Sequence, residues 1–406
     1  MNTPKAKSVS LKNENRPMGK YNFDEIVNRR GTNCVKWDEE REDGIIPLWV
    51  ADMDFPAAPA IRQAVEKRVQ HGIFGYAMVG ESYYDAIINW FQRRHHWTIQ
   101  RNSIIYTTGV IPAISATIHA LAMPGEKVLI QTPVYNCFFS CIRNQGTQVL
   151  ENPLKREGNT FVVDWEDFEA KCADEKTTLF LLCNPHNPAG RVWTKEELAR
   201  MNEICMRHDV KVISDEIHCE LIMPDYTFTP FATVNEDCKR NSVIFNSPTK
   251  NFNIAGLQIA NIICANREWY RRINRAINIF EVCDVNPFGP IALEAAYNDS
   301  EDWIDELMPY LAENYAFLCE TFEKELPDYD VMKLEGTYLV WVDIRKSGLS
   351  ADALTEKLLH EGKVQVNSGV MYGETDGEGY IRINIACPKA TLEEGIKRIV
   401  KTLKAI

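Results

Sequence analysis

The sequence contains no run of about eighteen or more apolar residues, the length that a membrane-spanning helix needs. It also has no excess of positive charge, because 57 acidic residues outnumber 45 Lys and Arg and give a net charge of −12. Nucleic acids and anionic membranes are bound by basic patches. We therefore expect neither a membrane nor a nucleic acid among the partners of this protein.

The cysteines lack the spacing of a disulfide framework or a metal site. Twelve are scattered through the chain, there is no Cys-x-x-Cys pair, and the closest two are Cys137 and Cys141. This pattern is typical of reduced cysteines that act as small hydrophobic residues in a cytoplasmic protein. Adjacent His95 and His96 have no acidic or thiol neighbours at metal-ligand spacing, so we predict no metal site.

The N-terminal twenty residues are polar and basic and have no apolar segment, so they do not resemble a secretory signal. We interpret residues 1–20 as a flexible leader. The chain has 406 residues, 45% of them hydrophobic, which is enough for two domains or one large domain with a smaller companion.

Apolar, strand-like runs alternate with helical patterns through the middle of the chain. These runs cover residues 127–131, 178–183, 210–214, 243–246 and 258–264. Thr194, followed three residues later by Glu197, forms a capping box that marks the start of one intervening helix. Continuous apolar strands between helices predict a parallel sheet that is buried on both faces. Ligands bind such sheets at the carboxyl ends of the strands.

The chain after about residue 300 has a different pattern. A long helix is predicted over 302–326, followed by short strands near 337–342 and 380–385. Helices near 351–361 and 391–404 flank the second of these strands. The pattern indicates a smaller α+β domain.

Two ionisable residues follow strand ends in the middle of the chain. Lys250 comes after the apolar run that ends at 246, in a Ser/Thr-containing turn with Ser247 and Thr249. A lone lysine is usually a solvated surface residue, but a buried one has a lowered pKa and can act as a nucleophile or base. Asp215 ends a buried run, where a carboxylate needs a partner, either a structural one or a ligand.

Three further patterns suggest ligand contacts. Asn187 lies in a Pro- and Gly-containing loop after the strand that ends at 183, and its amide can donate to a ligand oxygen. A Thr-Thr-Gly turn at 107–109 opens a helix whose first N–H groups suit an anion. Arg382 lies on a late strand, on the same face as Tyr380. Its planar guanidinium suits a carboxylate, although in isolation it could face solvent.

Taken in order, these residues resemble the aspartate-aminotransferase superfamily of pyridoxal-phosphate enzymes. The resemblance covers nearly the whole chain from Tyr21, and it is stronger to the cystathionine β-lyase branch, the bacterial MalY/PatB-type C–S lyases. The matching blocks are residues 21–25, 29–33, 36–38, 48–55, 73–76, 215–218 and 379–388. The implied fold is α/β, aspartate-aminotransferase-like (fold type I), with a mostly parallel sheet in a large domain.

The resemblance implies a division of the chain into domains. The large domain, which would bind pyridoxal 5′-phosphate, is expected over 60–295. The smaller α+β domain would combine 21–59 with 296–406.

The resemblance also implies a role for each matching residue. Lys250 would form the Schiff base with the cofactor, Asp215 would pair with the pyridine nitrogen, and Tyr135 would stack on the ring. Catalytic roles are expected for Lys250, Tyr135 and Tyr76, with Tyr76 reaching the neighbour's site in a homodimer. The other expected cofactor contacts are Asn187, His218, Val110, Ile111, Ser247 and Thr249. The expected substrate contacts are Arg382, Asn187 and Ala51, with Arg382 holding the α-carboxylate.

Four positions depart from family patterns. His218 stands where the usual aminotransferase has a tyrosine, and Gln258 stands where many aminotransferases have a phosphate-binding arginine. Both departures favour the lyase branch. Lyases of this branch commonly have Pro-Gly and Phe-Gly in the loop before the arginine strand, where this chain has Asn367-Ser368-Gly369 and Tyr372-Gly373. That loop borders the substrate side chain in relatives, so specificity is expected to differ.

The implied reaction is α,β-elimination from an L-amino acid that carries sulfur at Cβ, such as cystathionine or cysteine, to a thiol, pyruvate and ammonia. The alternative within the superfamily is an aminotransferase that uses the same cofactor. A catalytically idle relative that acts through protein contacts is a third hypothesis, and the full set of cofactor groups argues against it.

Overall fold

The computed structural model describes residues 19–406, so residues 1–18 of the predicted leader lie outside the described part. At the end of that predicted leader, the ammonium group of Lys20 pairs with Asp302 at 2.5 Å. Within the described residues, none of the helices combines the length and hydrophobicity that crossing a bilayer requires.

Strands and helices alternate through the described chain. The strands are β1 (Ile46–Pro47), β2 (Ile104–Thr107), β3 (Lys127–Ile130), β4 (Gln148–Glu151), β5 (Lys155–Glu157), β6 (Thr160–Val162), β7 (Thr177–Cys183), β8 (Lys211–Asp215), β9 (Ser242–Asn246), β10 (Ala260–Cys264), β11 (Leu339–Asp343), β12 (Val364–Gln365), β13 (Asn367–Ser368) and β14 (Tyr380–Asn384). The helices are α1 (Val35–Asp38), α2 (Pro59–His71), α3 (Glu81–His95), α4 (Val110–Leu121), α5 (Cys137–Asn144), α6 (Trp165–Cys172), α7 (Lys195–Arg207), α8 (Glu236–Arg240), α9 (Pro248–Asn251), α10 (Arg267–Ile279), α11 (Gly289–Asp299), α12 (Glu301–Glu325), α13 (Ala351–His360) and α14 (Lys389–Leu403).

A seven-stranded sheet forms the centre of the larger part, in the order β2-β10-β9-β8-β7-β3-β4. The strands from β9 to β4 are parallel, as the sequence predicts. The exception is β10, which is antiparallel to both of its neighbours. The chain leaves β9 at Asn246 and enters β10 at Ala260 without a long helix to carry it back across the sheet, so it returns in the opposite direction.

Both faces of this sheet are covered, which explains why its central strands are largely apolar. Val243 and Phe245 of β9 pack in one cluster with residues of α4 and α10. Ile244, on the opposite face, packs in a second cluster that includes Trp90 of α3 and Leu198 of α7. Complete burial of such side chains contributes about 1.5–3 kcal/mol each. The polar residues at the strand ends are therefore held in place by a tightly packed hydrophobic core.

The C-terminal part forms the smaller α+β unit that the sequence predicts. Its antiparallel sheet has the order β11-β14-β13, and α12, α13 and α14 accompany it. β1 pairs in parallel with β12, which joins the early chain to the late chain. The predicted helix after Thr194 is also confirmed, as α7 with a complete capping box.

Residues 49–55, here called the N-terminal segment, are fixed by buried polar contacts. Lys36 donates to Asp54 at 2.9 Å, and Arg29 donates to the same carboxylate at 2.8 Å. The side-chain amide of Asn253, just beyond α9, bonds to the main chain of the segment in both directions. Buried charges are tolerated when they are paired in this way. The segment is thereby held beside α9.

Candidate active site

A cavity lies at the carboxyl end of the large sheet, where several predicted site residues meet. Asp215 ends β8, and Lys250 lies in α9 just after β9. The lining residues are Ala51, Val110, Ile111, Tyr135, Cys183, Asn187, Asp215, Ile217, His218 and Lys250. Eight of these ten were predicted from the sequence. This position is where parallel α/β sheets bind ligands.

Lys250 contributes an amine with a lowered pKa. Its Nζ donates a 2.6 Å hydrogen bond to the carbonyl oxygen of Ala51, in the N-terminal segment. Burial lowers the pKa of Lys250, the nearby Arg382 lowers it further, and Asp52 and Asp215 act in the opposite direction. The lysine is therefore more easily neutral than a surface lysine, which makes it a better nucleophile and base.

Asp215 is a buried carboxylate with which no cation of residues 19–406 is in contact. Its Oδ1 accepts a hydrogen bond from the main-chain N–H of Ile217 at 3.1 Å. Burial raises its pKa to about 7, partly offset by that hydrogen bond and by Lys250. A buried carboxylate in this state is suited to a cationic ligand group, which would hold it ionised.

Arg382, on β14, brings a buried positive charge to the site. One guanidinium nitrogen donates to Asn187 Oδ1 at 3.2 Å, and another donates to the carbonyl oxygen of Trp49 at 2.8 Å. Nε has no hydrogen-bond partner, and within residues 19–406 no ion pair to this guanidinium is formed. Both acceptors are neutral, so the charge remains available for an anion. The arginine does not face solvent, which removes that alternative.

His218 and Tyr135 complete the aromatic part of the cavity. Burial lowers the pKa of His218 to about 3, so the ring is neutral. Its Nδ1 has no hydrogen-bond partner among the residues that the structure describes, and the ring meets Tyr338 edge-on at 6.1 Å between centroids. Burial and the neighbouring Cys137 raise the pKa of Tyr135, which keeps its hydroxyl protonated.

The predicted phosphate contacts lie in two elements. Val110 and Ile111 form the first turn of α4, where helix N–H groups have no acceptors within the helix. Ser247 caps α9, and its hydroxyl donates to the carbonyl oxygen of Ile259 at 2.6 Å. The Thr249 hydroxyl lies 2.7 Å from that of Ser247. The structure thus brings Val110 and Ile111 to the cavity wall, while the two hydroxyls bond to each other beside it.

Tyr76 lies outside the cavity of its own chain. It is part of an irregular stretch between α2 and α3, and its side chain is fully exposed. Ile73, Phe74 and Met78 in the same stretch are also exposed.

Two cavity-lining residues were absent from the sequence-based set of site residues. Cys183 ends β7, and its sulfur accepts from the main-chain N–H of Asn187 at 3.4 Å. Ile217 lies between Asp215 and His218 and presents an apolar side chain. Their positions just after strand ends were a usable signal, but apolar side chains at such positions resemble ordinary core residues.

His95 has an acid and a thiol close in space, although it has none at metal-ligand spacing in the sequence. Donor atoms of His95, Cys219 and Glu220 lie within 4.8 Å of one another. Glu220, however, also accepts from Trp90 at 2.8 Å and from Arg94 at 3.3 Å. The arginine cation already neutralises this carboxylate, so the arrangement is a buried hydrogen-bonded ion pair.

The cavity residues fit the cofactor that the sequence resemblance implies. The Asp215 carboxylate, which contacts no cation of the described chain, suits a protonated ring nitrogen. The first turn of α4 suits a phosphate, and Lys250 supplies an amine for a carbonyl carbon. The unpartnered Nδ1 of His218 is a further polar atom inside the cavity.

The fold and the cavity define an α/β enzyme with a buried lysine of lowered pKa at the carboxyl end of its central sheet. The family model for aminotransferase class I and II matches residues 43–399. The chain belongs to this family.

Two kinds of comparison identify close relatives. Cystathionine beta-lyase PatB of Bacillus subtilis (strain 168) is 40% identical over 386 residues, which are 94% of this chain and 100% of the relative. The crystal structure of cystalysin from Treponema denticola, which contains a pyridoxal 5′-phosphate cofactor, has a TM-score of 0.92 and 32% identity, with 95% and 99% of the two chains covered. The PLP-bound C–S lyase of Staphylococcus hominis has a TM-score of 0.88 and 32% identity, covering 94% and 99%.

Proposed function

We propose that this protein is a pyridoxal-phosphate-dependent C–S β-lyase. It would convert L-cystathionine, L-cysteine or a related S-substituted cysteine to a thiol, pyruvate and ammonia. Similarity to a cystathionine beta-lyase and to the structure of a PLP-bound C–S lyase supports this reaction over transamination. The structural observation that carries the proposal is the convergence of Lys250, Asp215 and the unpaired Arg382 at one site.

The cofactor, when bound, withdraws electrons from the substrate Cα. We assign Lys250 to its covalent attachment, Asp215 to the ring nitrogen and Asn187 to a ring oxygen. Tyr135 and His218 would flank the ring. Val110, Ile111, Ser247 and Thr249 would hold the phosphate.

Arg382 would bind the α-carboxylate of the substrate. Its guanidinium is buried and has only neutral acceptors, so a carboxylate would gain a charge-assisted, bidentate contact. Ala51, on the cavity wall, would adjoin the substrate. A positioned carboxylate fixes the orientation of the Cα–H bond.

Lys250 Nζ would then take the proton from Cα. Its lowered pKa gives it a larger neutral fraction near pH 7 than an ordinary lysine has. A proton from Lys250, or from a tyrosine hydroxyl, would then pass to the sulfur that leaves from Cβ. Homocysteine would leave from cystathionine, and sulfide would leave from cysteine. The three-carbon enamine that remains would be released and would take up one water to give pyruvate and ammonia.

The decisive test is pyruvate release from the protein supplied with pyridoxal phosphate and L-cystathionine, with L-cysteine in parallel and no keto acid. Pyruvate and thiol in equal amounts are expected. Amino-group transfer that requires a keto acid, without pyruvate release, would instead establish an aminotransferase. The matched control is Lys250→Ala, which removes the only amine assigned to the reaction.

We also propose that the protein is a homodimer in which Tyr76 completes the neighbour's site. The exposed apolar side chains of Ile73, Phe74 and Met78 beside Tyr76 support an interface there. We further propose a large domain over 60–295 and a small domain of 21–59 with 296–406, a division that the presence of two separate main sheets supports. Twelve free cysteines support a cytoplasmic location.

A further inference from the structure

We propose that Tyr372 and Asn367 are positioning residues that hold the Arg382 guanidinium in place for the substrate carboxylate. The inference rests on the role proposed above for Arg382. Both residues belong to the loop in which this chain departs from the pattern of the C–S lyases.

The ring of Tyr372 supports the charge of Arg382. The guanidinium carbon lies 4.7 Å from the ring centroid, in the geometry of a cation–π contact. Tyr372 is only 1% exposed, and Trp341 packs against it edge-on at 5.6 Å between centroids. Because the contact is buried, little water screens it, and the ring restricts the guanidinium from one side.

Asn367 fixes both the ring and the arginine. Its Nδ2 donates to the Tyr372 hydroxyl at 2.7 Å and to the carbonyl oxygen of Trp49 at 3.2 Å. The same carbonyl oxygen accepts from Arg382 at 2.8 Å. Asn367 and Arg382 are also direct partners in the β13–β14 pairing. The tyrosine hydroxyl, which a phenylalanine lacks, is therefore what connects the ring to this network.

The loop is joined to the other side of the cavity as well. The carbonyl oxygen of Tyr372 accepts from the main-chain N–H of Val134 at 2.7 Å. Val134 precedes Tyr135, which lines the cavity. A shift of Tyr372 would consequently disturb both the carboxylate site and the wall formed by Tyr135. This arrangement favours a role in orientation over a role in proton transfer.

The test compares the affinities of the cofactor-loaded protein for L-alanine and L-alaninamide, measured by calorimetry. The two ligands differ in the carboxylate that Arg382 would bind. Tyr372→Phe and Asn367→Ala should each weaken L-alanine binding about fivefold, the effect of one hydrogen bond. Tyr372→Leu, which also removes the ring, should weaken it about thirtyfold. Binding of L-alaninamide should change less than twofold.

Tyr329→Phe is the matched control, because it removes a tyrosine hydroxyl of the same part of the chain away from Arg382. With a substrate that turns over, the KM of Tyr372→Phe should rise while kcat changes little. Equal weakening of both ligands, or unchanged L-alanine binding in the folded Tyr372→Phe and Asn367→Ala proteins, would overturn the inference. Alanine binding does not require elimination, so failure to release pyruvate would count against the lyase assignment alone.

Discussion

The amine of Lys250 donates a 2.6 Å hydrogen bond to the carbonyl oxygen of Ala51, almost 200 residues earlier in the chain. A neutral amine can make this bond and still keep its lone pair for attack on carbon. Burial, which lowers the pKa of Lys250, favours that state. The contact therefore orients the nucleophile without consuming the electron pair that it needs.

Replacement of Lys250 by alanine should abolish covalent attachment of pyridoxal phosphate and lower pyruvate release at least about a thousandfold. The absorbance spectrum of the loaded protein and a pyruvate assay measure the two effects. Lys239→Ala, on the exposed side of α8, is the control and should behave as the wild type. Substantial turnover by the Lys250→Ala protein would contradict the proposed mechanism.

In the cofactor-free protein, the contribution of Asp215 to the free energy of unfolding should fall as the pH rises from about 4 to about 7. Burial raises the pKa of Asp215 to about 7 in the folded state, while the unfolded chain keeps a value near 3.8. The folded state therefore keeps the proton up to a higher pH than the unfolded chain does. Ionising the carboxylate then lowers the free energy of unfolding by on the order of 3 kcal/mol. Urea titrations should show that the free energy of unfolding of the wild type falls relative to that of Asp215→Asn across this range.

Pyridoxal phosphate should remove or reverse this difference, because the protonated ring nitrogen would stabilise the Asp215 carboxylate. Glu216, whose pKa burial raises to about 8, is present in both proteins and cancels in the comparison. Identical pH profiles of the wild type and Asp215→Asn in the absence of cofactor would contradict the buried, uncompensated state of this carboxylate.

Arg382→Lys should raise the KM for an α-amino acid about 10- to 100-fold, because lysine keeps the charge but loses the bidentate geometry. Steady-state kinetics with L-cystathionine measure this change. Arg240→Lys, at an exposed position on α8, should leave KM unaltered. An Arg382→Lys protein with the KM of the wild type would place the carboxylate elsewhere.

Hybrid dimers test the proposed contribution of Tyr76. Tyr76→Phe and Lys250→Ala proteins, each poorly active alone, should recover about one quarter of wild-type activity after equal mixing and subunit exchange. Half of the dimers would then be hybrids, each with one intact site. Recovery will not occur if Tyr76 serves only its own chain, and a full-activity monomeric variant would likewise contradict the shared site.

Much of the site could be predicted because its residues follow strand ends that apolar runs mark clearly. Asp215 comes directly after one such run, and Lys250 lies in the short turn and helix that follow another. The orientation of β10 could not be predicted in this way, because strand direction depends on the path of the connection and not on local hydrophobicity. The contacts of Ala51 with Lys250 and of Asn367 with Tyr372 depend on tertiary folding, which local patterns do not report.

Main-chain carbonyls of the N-terminal segment accept hydrogen bonds from the Arg382 guanidinium, from the Lys250 amine and from a supporting amide. Trp49 accepts from Arg382, Ala51 accepts from Lys250, and Val50 accepts from Asn384 at 2.6 Å. Carbonyl oxygens are the same whatever side chain a residue carries. The side chains at positions 49 and 51 can therefore be exchanged without deleting these anchors, which makes them natural starting points for redirecting the enzyme to bulkier thioethers by laboratory evolution.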